Sequence, residues 1–129
     1  MKMYWTELPC NELMIRVFSK PPEVGYIDLF DVEIKRDGPT IIISLDLIDV
    51  LPDKPPVKWG KEFNRCRVGL YCLGVSELII FGVSRNMKAE ISFDIHEGDN
   101  KIKITGDDFN ISFKCSHVNI TGPSVYLSE

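Results

Sequence analysis

The sequence predicts a mainly β protein, and three observations carry that reading. Apolar residues alternate at period two through most of the chain beyond Tyr26. Turn-forming residues separate these runs about every ten positions, as in sheets built from short antiparallel strands. Helical periodicity is confined to one stretch near the N-terminus. The expected architecture is an antiparallel meander of seven or eight strands, forming a curved sheet, half-barrel or sandwich, with one N-terminal amphipathic helix. At 129 residues it is a single domain, 1–129, able to bury roughly two-thirds of its unfolded surface.

The helix comes first. Thr6 suits an N-cap, and Pro9 fits a first turn, where N–H groups have no helical partner. Leu13, Met14, Val17 and Phe18 then share one face, and Lys20-Pro21-Pro22 ends the helix. Next, Phe30, Val32 and Ile34 alternate with Asp31, Glu33 and Lys35. Asp37-Gly38-Pro39 turns the chain, after which Ile41, Ile43, Leu45 and Leu47 alternate with Ile42, Ser44 and Asp46. Two such runs about a tight turn make a hairpin with one buried face.

Between Asp49 and Glu62, Pro52, Pro55 and Pro56 exclude a central strand and predict a long ordered loop or flap. Cys66, Val68, Leu70 and Cys72 then share a strand face. Leu78–Val83 is apolar on both faces, the pattern of a central strand covered on both sides. Ile91, Phe93 and Ile95, then Ile102 and Ile104, then Phe109, Ile111, Phe113 and Cys115 give three more runs, parted by Gly98-Asp99-Asn100 and Gly106-Asp107-Asp108. Val118 and Ile120 open the last strand. Ile43, Leu45, Phe93, Ile95, Ile111 and Phe113 are therefore expected in the core.

A net charge of −4 argues against general nucleic-acid binding, which requires phosphate neutralisation, and suits an acidic surface that meets a basic partner. No apolar stretch approaches the ~20 residues of a membrane helix. The opening Met1-Lys2-Met3-Tyr4-Trp5-Thr6-Glu7 lacks the apolar run of a secretory signal, so the reading is a cytoplasmic protein with no membrane partner. Cys10, Cys66, Cys72 and Cys115 include no pair at the two-residue spacing of a zinc or redox motif. They read as reduced thiols, with no metal and no cofactor implied.

Catalytic signatures are missing from the sequence. His96 and His117 have no ligand-type residue at helical metal-binding spacing, no serine stands in a nucleophile elbow, and no glycine-rich phosphate loop is present. Three sets of residues suggest contacts instead. Asp31, Glu33 and Asp46 fall by alternation on one outer face with Lys35 and Ser44, either as a solvated strand face or as an acidic patch for a basic partner. Trp59, between Lys58 and Lys61, is either a core plug or an exposed aromatic anchor. Tyr71, with Leu73, lies on the polar side of its strand, covered by the helix or open to a partner. The partner-binding candidates are thus Asp31, Glu33, Asp46, Trp59 and Tyr71.

Arg36-Asp37-Gly38-Pro39-Thr40 leading into an alternating strand, followed by Pro52-Asp53-Lys54-Pro55-Pro56-Val57-Lys58-Trp59-Gly60, resembles the immunity protein 50 family of bacterial polymorphic toxin systems. The later meander, the Phe113-Lys114-Cys115 strand and Trp5 extend the likeness over nearly the whole chain. The resemblance implies a cytoplasmic, non-enzymatic protein that binds a cognate toxin domain and neutralises it. It brings no catalytic or metal-binding residues with it. A small-ligand carrier would instead need interior polar groups, whereas the inward positions here are nearly all aliphatic, aromatic or cysteine. The third class is an enzyme with a dispersed site, which fold alone does not decide.

Overall fold

The computed structural model describes residues 2–128. After a single 3-10 turn at Trp5–Glu7, a short helix α1 (Glu12–Val17) precedes eight strands. These are β1 (Tyr26–Lys35), β2 (Thr40–Leu47), β3 (Arg65–Leu73), β4 (Ser76–Phe81), β5 (Lys88–Asp94), β6 (Asn100–Gly106), β7 (Asn110–Cys115) and β8 (His117–Tyr126). They form one antiparallel sheet in the order β4-β7-β6-β5-β1-β2-β3-β8. The sheet is not closed.

Two chain connections explain how a single sheet encloses a core. Only Gly74 and Val75 separate β3 from β4, and only Ser116 separates β7 from β8. The β3–β8 ladder ends at Leu73 opposite His117, and the β4–β7 ladder begins at Ser76 opposite Lys114. Both ladders are halves of one bent two-stranded ribbon. At the bend, Gly74 has a positive φ of 66°, and a Cβ there would run into the Ser116 hydroxyl. The Ser116 N–H donates to the Leu73 carbonyl at 2.8 Å, holding the corner.

Register places the apolar residues on one face. Leu29, Leu45 and Val68 lie abreast, as do Ile43, Leu70 and Ile120, and likewise Ile91, Ile104 and Ile111. All nine are buried. The N-terminal strap seals this face. Trp5 is 1% exposed and meets the Phe93 ring edge-on at 5.7 Å, while Leu8, Met14, Val17 and Phe18 complete the core. Cys66, Cys72 and Cys115 are buried free thiols. Burial pushes the Cys66 thiol up to about 12, and the neighbouring Cys115 thiol together with burial raises Cys72.

Several expectations need correction. The helix begins at Glu12 behind Asn11, because Trp5–Glu7 tightens into a separate 3-10 turn and Cys10 takes a positive φ of 66°. The Leu78–Val83 run does not form a central strand: β4 is an edge strand, with Ile79, Ile80 and Phe81 all exposed. Of the six expected core residues, Ile43, Leu45, Ile111 and Phe113 are buried and Phe93 is half-buried. Ile95 is exposed, since β5 ends at Asp94. In β1 the core is supplied by Ile27 and Leu29, while Phe30 and Ile34 are exposed.

Candidate partner-binding face

The sheet's outer surface over β1, β2, β3 and β8 gathers four of the five candidate residues. Backbone register sets them in rows across the strands. Glu33 lies opposite Ile42, which faces Tyr71 and then Asn119. The next row is Asp31, Ser44, Gly69 and Thr121, followed by Asp28, Asp46, Arg67 and Ser124. Asp31, Glu33 and Tyr71 are exposed, and Ile42 is half-buried between Glu33 and Tyr71. Tyr71 is thus not covered by α1, which packs on the other side of the sheet. The face combines carboxylates with an aromatic and an aliphatic, a composition found where charged rims surround apolar contacts.

Asp46 shares the face but is not an open carboxylate. Its residue exposure is 7%, because the Arg67 Nε, one strand across, donates to its Oδ1 at 2.8 Å. A second guanidinium nitrogen reaches Oδ2 at 3.4 Å and also donates to the Tyr126 hydroxyl at 2.9 Å. The Tyr126 hydroxyl in turn donates to Asp46 Oδ2. The guanidinium sits over the Phe30 ring at 3.8 Å and over the Tyr126 ring at 4.7 Å. Burial, and then the hydrogen bond to Asp46, raises the Tyr126 phenol above its ordinary value. Asp46 is therefore the buried anchor of an Arg67–Tyr126–Phe30 cluster, and the acidic character of the face rests on Asp28, Asp31 and Glu33. Lys35 approaches Glu33 at 3.8 Å, an exposed pair of little energetic weight.

Phe30 reaches this cluster through a β-bulge. The β1–β2 register steps from Leu29 opposite Leu45 to Asp31 opposite Ser44, leaving Phe30 unpaired. Bulges bend a strand and re-aim a side chain, and here the result is an aromatic ring 63% exposed on the outer face. Alternation alone assigns Phe30 to the buried set. The extra residue moves it out. Arg67 and Tyr126 also escape a motif search, although aligning the two neighbouring runs sets Arg67 beside Asp46 and offers a detectable charge pair.

Trp59 lies apart from this face. It closes a one-turn 3-10 helix, Val57–Trp59, and packs half-buried against the core side of the sheet. The loop carrying it is tied to the end of α1. Lys54 N–H donates to the Val17 carbonyl at 2.9 Å, and Ser19 N–H donates to Asp53 Oδ1 at 2.9 Å, with the Ser19 hydroxyl donating to Oδ2. These Ser19 hydrogen bonds, the hydroxyl's first, lower the Asp53 carboxyl below its ordinary 3.8.

Among the described residues, no three His, Cys, Asp or Glu side chains come together as a metal site requires. His96 and His117 are exposed, and His96 Nε2 lies 2.9 Å from Asp94. Among the described residues, no helix is long and apolar enough to cross a membrane.

The fold and this face define a mainly β protein whose candidate contact surface is the outer face of its sheet. The family model of Immunity protein 50 matches residues 11–126, so the chain belongs to that family of immunity proteins. No curated protein and no solved structure matches it.

Proposed function

We propose that this chain is a non-enzymatic, cytoplasmic immunity protein of a bacterial polymorphic toxin system, which neutralises a cognate toxin domain by stoichiometric binding. Membership of the immunity family carries the reading, because an immunity protein acts on a toxin. The outer face of β1, β2 and β3 supports a location for the contact. Asp31 and Glu33 supply charge that steers a basic partner, while Tyr71 supplies an aromatic surface that loses water on binding. Arg67 and Phe30 form a pre-ordered edge to the same face, since their geometry is already fixed by Asp46 and Tyr126. Asp46 acts through Arg67 instead of touching the partner. Trp59, on the core side, holds the loop in place.

Binding to the toxin domain encoded beside this gene tests the proposal. Wild-type protein is expected to co-purify with that domain in a 1:1 complex. Reversing Asp31 and Glu33 to lysine should slow association by roughly tenfold or more at low salt and flatten its salt dependence. Tyr71→Ala should mainly accelerate dissociation, by about 1–2 kcal/mol. Trp59→Ala should lower the melting temperature and leave the affinity of the folded fraction unchanged. Wild-type association by the folded charge-reversed variant would move the interface elsewhere. Failure of the wild-type protein to bind the toxin domain would overturn the function.

A further inference from the structure

We propose that β4 is a self-association edge, through which two copies of this chain pair antiparallel about a two-fold axis. The proposal is independent of the toxin-binding reading. It begins with the position of β4 at one end of the sheet, hydrogen-bonded to β7 on one side only. Among the described residues, no backbone hydrogen bond outside the ladders involves Ser76–Phe81, so the other side presents free N–H and C=O groups.

The side chains along that edge are apolar on both faces. Register with β7 sets Ile79 and Phe81 opposite Ser112 and Asn110 on the outer face, and Ile80 opposite the buried Ile111 on the core face. Their exposures are 63%, 70% and 49%, and Val83 just beyond is 83% exposed. Edge strands normally carry charges, proline or bulges that block pairing. β4 has a charge and a bulge only at its start, at Glu77 (φ 53°), and the stretch from Leu78 to Val83 has no charge and no proline. A pairing strand would satisfy the open backbone and set cross-strand side chains beside the apolar residues on each face.

Charge distribution selects a second copy, and an antiparallel one. The uncharged stretch is bounded by Glu77 on one side and Arg85 on the other. Two-fold antiparallel pairing brings the Glu77 end of each copy toward the Arg85 end of its mate, at both ends of the contact. Parallel pairing would set like charges together. An isologous contact needs a self-complementary surface, and an apolar segment with opposite charges at its ends is one. Glu77 already pairs with Lys114 of its own copy at 3.1 Å, so the mate's Arg85 joins an exposed pair and sets the orientation of the contact more than its strength. A strand this short makes a contact at the small end of specific interfaces, about 1,200 Å² or less, so association should depend on concentration in the accessible range.

Sedimentation equilibrium over a concentration series, combined with amide hydrogen exchange, tests this. The wild-type chain is expected to show a monomer–dimer equilibrium, with residues 78–83 gaining protection as concentration rises. Ile79→Lys should weaken dimerisation by roughly tenfold or more while circular dichroism remains native, since Ile79 already faces solvent. A second variant, Phe81→Cys in a Cys10→Ser background, should form an oxidised dimer that the Cys10→Ser protein does not. Removing Cys10 eliminates the exposed native thiol. A monomer at every concentration would overturn the proposal, as would a dimer unaffected by Ile79→Lys. Protection of 78–83 that appears only when the toxin domain is added, with this chain still monomeric, would assign the edge to the toxin and also overturn it.

Discussion

The two ends of the sheet, β4 and β8, belong to the same bent ribbon yet meet solvent in opposite ways. On β8, the outward N–H of Ile120 donates to the Pro9 carbonyl at 3.0 Å, α1 packs alongside, and Pro123 has no N–H to offer. The N-terminal strap thus caps that edge while its Trp5 and Leu8 enter the core. On β4, nothing among the described residues covers the backbone, and Ile79, Ile80 and Phe81 are exposed. Both edges arise because the ribbon extends past its neighbours at each end. The contrast shows that this protein covers one edge with its N-terminal strap and leaves the other guarded only by the bulge at Glu77.

The protection of β8 is most readily lost at Trp5. Trp5→Ala empties a fully buried site next to Phe93 and should cost roughly 3–5 kcal/mol. Hydrogen exchange should then accelerate at residues 118–121 while residues 78–81 stay as fast as before. Equal acceleration at both edges would mean that the strap guards the whole sheet rather than β8. A smaller effect is expected at Arg67, which ties β2 to β3 and β8 by way of Asp46 and Tyr126. Arg67→Ala leaves the Asp46 carboxylate buried with only the Tyr126 hydroxyl, costing roughly 2–3 kcal/mol. Chemical denaturation measures it, and a loss below about 0.5 kcal/mol would show that water replaces the guanidinium.

The smallest effect sharpens the role of the clasp between α1 and the proline-rich loop. The folded Asp53 carboxyl titrates below its unfolded value of 3.8, so it stabilises the protein above about pH 3.8, and this contribution is lost as pH falls through the folded value. Asp53→Asn should therefore lower the melting temperature slightly at neutral pH, with the difference from wild type closing under acid conditions. A difference that persists at low pH would assign the effect to packing.

Much of the fold is legible in the sequence because period two reports a half-buried strand directly. The Asp37-Gly38-Pro39 hairpin, the shared face of Cys66, Val68, Leu70 and Cys72, and the burial of Ile111 and Phe113 all follow from it. β4 is misread for a physical reason. An apolar run without alternation describes a strand buried on both faces and one exposed on both faces equally well, and only position in the sheet separates them. Phe30 is misread because a bulge inserts one residue and resets the alternation, which sequence period does not reveal. Of the candidate site, alternation places Asp31, Glu33, Asp46 and Tyr71 on one face. What it does not provide is the third dimension: Arg67 neutralising Asp46, and Trp59 carried to the opposite side of the sheet.

The bent ribbon also sets an order of events during synthesis. β3 and β4 leave the ribosome well before β7 and β8, their partners at residues 110–126. At about 5–20 residues per second, several seconds pass in which β3 can pair only with β2 and β4 with nothing. The strand with the most exposed apolar edge is thus also the one that waits longest for a first native neighbour. Translation speed through the β5–β6 segment fixes how long that wait lasts.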